Sequence, residues 1–202
     1  AASKTQNSGT VATAAALPID LFGENRVQEL VEKSAAGAYA SRPVHLIGHL
    51  QTNKVRHVVG KASLIHSVDS QKLLFAIHRE AQKQGIVQPV LLEVNIAGEV
   101  SKSGIALRDL TALAEACEAL PGVQVEGLMC IPPKTSCEAD QHRAFEALRL
   151  AACDLEDRHY SWIHMHHLSM GMSGDFESAI LEGSTIIRVG TAIFGPRDYS
   201  IR

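Results

Sequence analysis

The chain has 202 residues, 46% of them hydrophobic and 20% charged, with a net charge of −3. That balance excludes a disordered chain, a coiled coil and a collagen-like fibre, and it provides no global basic field to recruit nucleic acid. No apolar run approaches the roughly 18 residues of a membrane span, and no signal peptide is visible.

Short β-branched or apolar runs alternate with longer amphipathic ones from end to end. The short runs predict strands at Ala1 to Ser3, Leu21–Phe22, Val44 to Ile47, Leu64–Ile65, Val90 to Asn95, Val123 to Met129, His166 to Ser169 and Ile186 to Val189. Thr10 to Ala16, rich in Ala and Thr, is the weakest of the helical patterns. Glu24 to Ala36 places Val27, Leu30 and Val31 on one face. Ser70 to Gln84 has an N-cap residue at Ser70 and gathers Leu73, Leu74, Ile77 and Ala81. Arg108 to Leu120 gathers Leu110, Leu113, Ala114 and Cys117 and stops at Pro121–Gly122. Glu138 to Leu155 gathers Phe145, Leu148, Ala152 and Leu155.

Alternating strand and helix predicts a parallel sheet with crossover helices. Eight strand repeats predict a closed (β/α)8 TIM barrel, one domain over residues 1–202. An open Rossmann-like sheet is the alternative, but no glycine-rich fingerprint comes after the first strand. No helix evident in the sequence covers the gap between the eighth strand and the first. An N-terminal helix preceding Ala1 would fill it. Cys117, Cys130, Cys137 and Cys153 have no C-x-x-C spacing and read as reduced thiols of a cytoplasmic protein.

In such a barrel the chemistry sits on the loops after the strands. The loops after the seventh and eighth strands bring Ser169, Gly171, Ser173, Gly190 and Thr191. Glycines admit close backbone approach and hydroxyls add donors, which is the chemistry of a phosphate cradle. The same residues also serve as ordinary turn formers. Lys4 comes just after the first strand, where burial would lower its pKa and make the amine a nucleophile suited to a Schiff base. A lysine snorkelling to the rim is the other reading. Arg188 shares a strand face with Gly190 and either points into the mouth or pairs with a carboxylate such as Glu93. The run His164-Met165-His166-His167 suggests a metal site. Its spacing near a strand start puts the rings on different faces, and no carboxylate or cysteine completes a ligand set, so no metal is expected. Lys54, Arg56, His57, Lys61 and Lys102 make a modest basic rim able to draw phosphorylated ligands.

These loops together resemble the pyridoxal-phosphate homeostasis (YggS/PROSC) family over nearly the whole chain. The matching motifs are Ser3-Lys4-Thr5, Phe22-Gly23-Glu24-Asn25, His45-Leu46-Ile47-Gly48-His49-Leu50-Gln51-Thr52-Asn53-Lys54 and Ser67-Val68-Asp69. They continue with Val94-Asn95, Ser101-Lys102-Ser103-Gly104, Gly127-Leu128-Met129, Leu168-Ser169-Met170-Gly171-Met172-Ser173, and Arg188-Val189-Gly190-Thr191 through Phe194-Gly195. The resemblance implies a barrel like the N-terminal domain of alanine racemase, holding pyridoxal 5′-phosphate (PLP). Carried over by motif, Lys4 forms the Schiff base, and Ser169, Ser173, Gly190 and Thr191 hold the phosphate. Arg188 faces the pyridine nitrogen and Asn25 lies near the ring. Thr5-Gln6-Asn7 departs from the Lys-Pro the family often has after the lysine.

Three functions compete for these residues. A PLP carrier serves cofactor homeostasis and transfer, with PLP-dependent apo-enzymes as recipients, no nucleic-acid or membrane partner, and a monomeric chain. A small racemase needs an acid/base on each face of the cofactor. The tyrosines Tyr39, Tyr160 and Tyr199 do not come directly after a predicted strand. A sugar-phosphate barrel has no need of an imine-forming lysine. An arginine at the ring nitrogen favours the carrier, because it cannot give up its proton and leaves the cofactor a weak electron sink.

Overall fold

The computed structural model describes residues 1–99, 102–133 and 137–195; Ser101 of the fifth loop and Tyr199 lie outside them. One all-parallel sheet runs β1 (Phe22–Glu24), β2 (Val44–Leu46), β3 (Leu64–Val68), β4 (Gln88–Asn95), β6 (Val123–Cys130), β7 (Ile163–Met172) and β8 (Ile186–Arg188), and the two-residue β5 (Ile105–Ala106) pairs with β4. The predicted first strand is a bridge rather than a regular strand. Ala2 pairs with Gly23, the Ser3 N–H donates to the Gly23 carbonyl at 2.9 Å, and the Ala2 N–H donates to the Val189 carbonyl at 2.8 Å. That last bond joins the first segment to the end of β8 and closes the barrel.

The helices fill the crossovers. Asn7 accepts the Thr10 N–H at 2.8 Å, and this cap starts α1 (Ser8–Ala14) two residues earlier than the composition suggested. Helix α2 is Val27–Ala35. It cannot begin at Glu24, because that residue is still paired with Leu46 in the β1–β2 register. Helix α3 (Gln71–Gln84) is bounded as expected, by the Ser70 side chain at its start and by Gly85 at φ 67° at its end. A 3-10 turn over Leu107–Asp109 leads into α4 (Leu110–Cys117), and α5 spans Glu138–Glu156. Two short helices were not predicted, α6 (Phe176–Leu181) and α7 (Thr191–Phe194). Six and four residues hold too little periodicity to read.

Strands buried on both faces divide the interior in two. Ile65, Leu92 and Leu128 pack outward beneath the helices with Leu74, Ile77, Phe145 and Leu148. Their chain neighbours Leu64, Leu91 and Met129 point inward, with Ile186 beside them. Cys117 and Cys130 are buried thiols, their pKa pushed up to about 12 by burial. Among the described residues, no helix is long and apolar enough to cross a membrane.

Candidate functional site at the barrel mouth

Parallel strands deliver their C-terminal ends to one face, and the predicted loops meet there. Lys4 lies just past the Ala2 bridge, Asn25 just past β1, and Gly190 and Thr191 just past β8. Lys4, Gly190 and Thr191, with Ala2, Gln6 and Phe194, line one crevice of about 240 Å³. Ser173, just past β7, accepts the Gly190 N–H on its hydroxyl at 3.3 Å. The loop carrying it is folded back by Asp175, whose carboxylate accepts the Met172 N–H at 2.5 Å. Asn25 is half-buried, and its side-chain oxygen is buried with no hydrogen-bond partner among the described residues. Gly48 is required beside it, since a Cβ there would lie 2.3 Å from the Asn25 carbonyl oxygen.

Ser169 does not join this crevice. The sequence pattern ends the seventh strand at Ser169, but β7 runs on to Met172, so the residue sits inside the barrel. It is fully buried, and its hydroxyl oxygen accepts from Arg188 Nη1 at 2.6 Å. The same hydroxyl lies 2.9 Å from His66 Nδ1, and His66 Nε2 lies 2.9 Å from His45 Nδ1. Arg188 also donates from Nη2 to the Cys130 carbonyl at 2.9 Å. An arginine only donates, so the Ser169 oxygen accepts from Arg188, and the hydrogen-bonded chain continues from Ser169 through His66 to His45.

Burial sets the charges of this interior. It holds His45 down to about 4, with His167 adding to the effect, and holds His66 well below its ordinary value. Glu93 is pushed up to about 7, by burial first and then by Asp69, against the pull of Arg188. The expected alternative of an Arg188–Glu93 ion pair is absent among the described residues, and the guanidinium is held by neutral oxygens.

Behind the wall, between β1 and α2, lies a second buried network. Lys33 Nζ is 2.8 Å from Glu24, 3.3 Å from Glu29 and 2.9 Å from the Ser3 carbonyl. Glu24 also accepts from the Ser3 hydroxyl at 2.5 Å and from the Tyr39 hydroxyl at 3.2 Å. Sequence reasoning missed this cluster and the two interior histidines. Their signals were faint: polar residues in apolar strands, and a Glu29–Lys33 pair at helical i,i+4 spacing.

The residues of the expected basic rim are partly engaged by the chain itself. Lys102 is held by Glu99 at 2.9 Å and the Pro132 carbonyl at 3.0 Å, while Lys54, Arg56 and His57 ride on a 3-10 turn. The histidine run also needs a correction. His164 and His166 share a face, with rings stacked at 5.3 Å, because β7 begins at Ile163 and residues two apart point the same way. His166 lies 2.8 Å from Glu126. Among the described residues, no group of three His, Cys, Asp or Glu could hold a metal ion.

A closed parallel barrel with Lys4, Gly190 and Thr191 lining one crevice at its C-terminal face defines a class of protein, and solved alanine racemases share this fold. One from Clostridium difficile superposes with a TM-score of 0.74 at 14% identity, over 94% of this chain and 48% of that one. Residues 1–198 match the model of the alanine racemase N-terminal domain. The chain belongs to that family, and within it to the pyridoxal phosphate homeostasis proteins. It is 46% identical to the Aquifex aeolicus protein of that name, over 90% of this chain and 78% of that protein, and 44% identical to the Pseudomonas aeruginosa one, over 98% and 84%. PipY of Synechococcus elongatus, solved with PLP bound, superposes with a TM-score of 0.88 at 36% identity, over 96% of this chain and 91% of PipY.

Proposed function

We propose that this chain holds PLP at the barrel mouth and passes it to PLP-dependent apo-enzymes, as a monomeric cytoplasmic carrier without robust turnover of its own. The observation that carries the reading is the meeting of Lys4, Gly190 and Thr191 in one crevice at the mouth of a barrel that buries Arg188. The residues present fit the group. The Gly190 N–H and Thr191 hydroxyl are donors for a phosphate, and the Ser173 oxygen that takes the Gly190 N–H stands where a phosphate oxygen would compete. The partnerless Asn25 oxygen is an acceptor waiting for a donor.

When bound, PLP supplies an aldehyde and an electron-accepting ring. Lys4 holds the aldehyde through its amine. Ser173, Gly190 and Thr191 hold the phosphate. Arg188 donates toward the ring nitrogen, and since it keeps its own proton, it leaves that nitrogen unprotonated and favours storage over carbanion chemistry. Ser169, which the resemblance gives to the phosphate, donates nothing there in this arrangement and on our reading supports Arg188.

Hydride reduction of the PLP-loaded protein, with peptide mass spectrometry of the product, should place the pyridoxyl group on Lys4. Label on Lys54 or Lys102 instead overturns the assignment. The loaded protein should also restore activity to an apo-enzyme, while α-proton exchange of added alanine stays at the level given by free PLP. Rapid racemisation overturns the carrier reading.

A further inference from the structure

We infer that the Glu24–Lys33–Glu29 cluster is a positioning device for Lys4, acting on the backbone at both sides of it. The inference rests on Lys4 as the residue that takes the cofactor aldehyde. Lys4 and Thr5 are the central residues of a turn that begins at Ser3, closed by the Gln6 N–H donating to the Ser3 carbonyl at 3.1 Å, so the Ser3 and Lys4 side chains part where the strand segment ends. The Ser3 hydroxyl enters the cluster and donates to Glu24 at 2.5 Å, while Lys4 lines the mouth crevice.

The peptide groups flanking Lys4 are bound as well. The Ser3 carbonyl accepts from Lys33 Nζ at 2.9 Å, and the Thr5 N–H donates to Glu29 at 2.8 Å. Together with the Gln6 N–H to Ser3 carbonyl bond of the turn, the second bond holds an unfavourable conformation. Thr5 has φ 68°, in the left-handed region that β-branched residues avoid. Such a residue persists only where its surroundings fix it. Lys33 and Glu29 are one helical turn apart on α2, 3.3 Å from each other, and Lys33 is locked to the fully buried Glu24. Helix α2 therefore grips the chain before and after Lys4 with groups of both signs.

The covalent step that this grip serves is balanced without a further reagent. The Lys4 nitrogen adds to the aldehyde carbon, a C=N bond forms, and the aldehyde oxygen leaves as water with the two amine protons. The step demands an aimed amine, whereas phosphate binding at Gly190–Thr191 does not. The device is therefore separable from the cradle.

The test uses two ligands. PLP is offered to the chain and trapped with hydride on Lys4, and pyridoxine 5′-phosphate, which has ring and phosphate but no aldehyde, is titrated separately. Glu29→Ala should slow trapping on Lys4 by about ten-fold, the scale of one charge-assisted hydrogen bond, and leave pyridoxine-phosphate affinity within about two-fold. Glu29→Gln retains an acceptor for the Thr5 N–H and should keep most of the trapping rate. Thr5→Gly, added to Glu29→Ala, should recover part of the loss, because glycine adopts positive φ without the steric penalty. In the ligand-free protein, hydrogen exchange at the Thr5 amide should be slow in wild type and fast in Glu29→Ala. Equal loss for both ligands, or trapping unchanged by Glu29→Ala, overturns the positioning role. Wild-type trapping at another lysine, or at none, overturns the reading beneath it, and the Thr5 exchange rate still reports whether Glu29 holds the backbone.

Discussion

Two buried polar networks flank the wall of this barrel, and they are built on opposite electrostatic plans. Outside, between β1 and α2, Lys33 sits 2.8 Å from Glu24 and 3.3 Å from Glu29, so charges of both signs compensate one another within the cluster. Inside, Arg188 is held at 2.6 Å by Ser169 and at 2.9 Å by the Cys130 carbonyl, both neutral oxygens. The histidines behind Ser169 are kept neutral by burial. The outer network is self-contained and directs its charge at the backbone around Lys4. The inner one holds a permanent cation on neutral oxygens, and among the described residues no carboxylate forms an ion pair with it. On the proposed reading, the first network builds the frame and the second serves the site.

The sharpest way to break the comparison is to uncompensate the outer cluster. Lys33→Met should leave Glu24 buried without its cation, so that the carboxyl either stays uncompensated or must take up a proton, at a cost of about 3–5 kcal/mol in urea unfolding. Adding Glu24→Gln should recover much of that loss. If Lys33→Met costs no more than a surface substitution, the cluster is not holding a buried charge.

The inner network should show itself through pH. His45 has its pKa pushed down to about 4 from an ordinary 6.5, so between those values the unfolded chain binds more protons and stability falls as pH falls. His66 acts in the same sense. Glu93 opposes them. Its pKa is raised from 4.5 to about 7, so the folded chain binds more protons in that window and stability falls as pH rises. Glu24, also raised by burial, acts with Glu93, so two carboxyls oppose the two histidines and wild type should vary less between about pH 4.5 and 6.5 than a variant lacking one of those carboxyls. Glu93→Gln removes one opposing group and should uncover a drop on the order of 3 kcal/mol from about pH 7 to about pH 4. A flat profile in that variant would mean the histidines are not buried neutral.

Ser169→Ala removes the hydroxyl between Arg188 and His66 and should cost about 1–2 kcal/mol in thermal or urea unfolding. Thr191→Val should do the reverse, leaving unfolding unchanged. It should weaken PLP retention by about 1 kcal/mol and unphosphorylated pyridoxal not at all. If Ser169→Ala instead costs phosphate selectivity and no stability, its hydroxyl belongs to the cradle and the division between frame and site fails at that residue.

The sequence was most legible where structure is local. Apolar residues at 3.6-residue spacing and Ser70 as N-cap located α3 to within a residue. The alternation of strand and helix was enough for a parallel barrel, and barrel topology sends the loop after each strand to one face. Lys4, Gly190 and Thr191 could be picked out on that ground alone. Features decided at long range were not legible. Ser169 looked like a loop residue because β7 extends past it. Its partner His66 is 103 positions away in the chain. Glu24 looked like the start of a helix because pairing with β2 leaves no local mark.

The sequence by itself determined the barrel, the order of its main strands and helices and the lysine after its first segment, because periodicity, capping and parallel connectivity are written in neighbouring residues. Only the tertiary structure decided which polar side chains face the mouth and which face one another, and it added the short β5, α6 and α7. Ser169 went to Arg188 and Ser173 to Gly190, although the two serines are four residues apart in one motif. The physical reason is that a buried polar group must find its partner wherever the fold brings one, and the distance along the chain does not enter that choice.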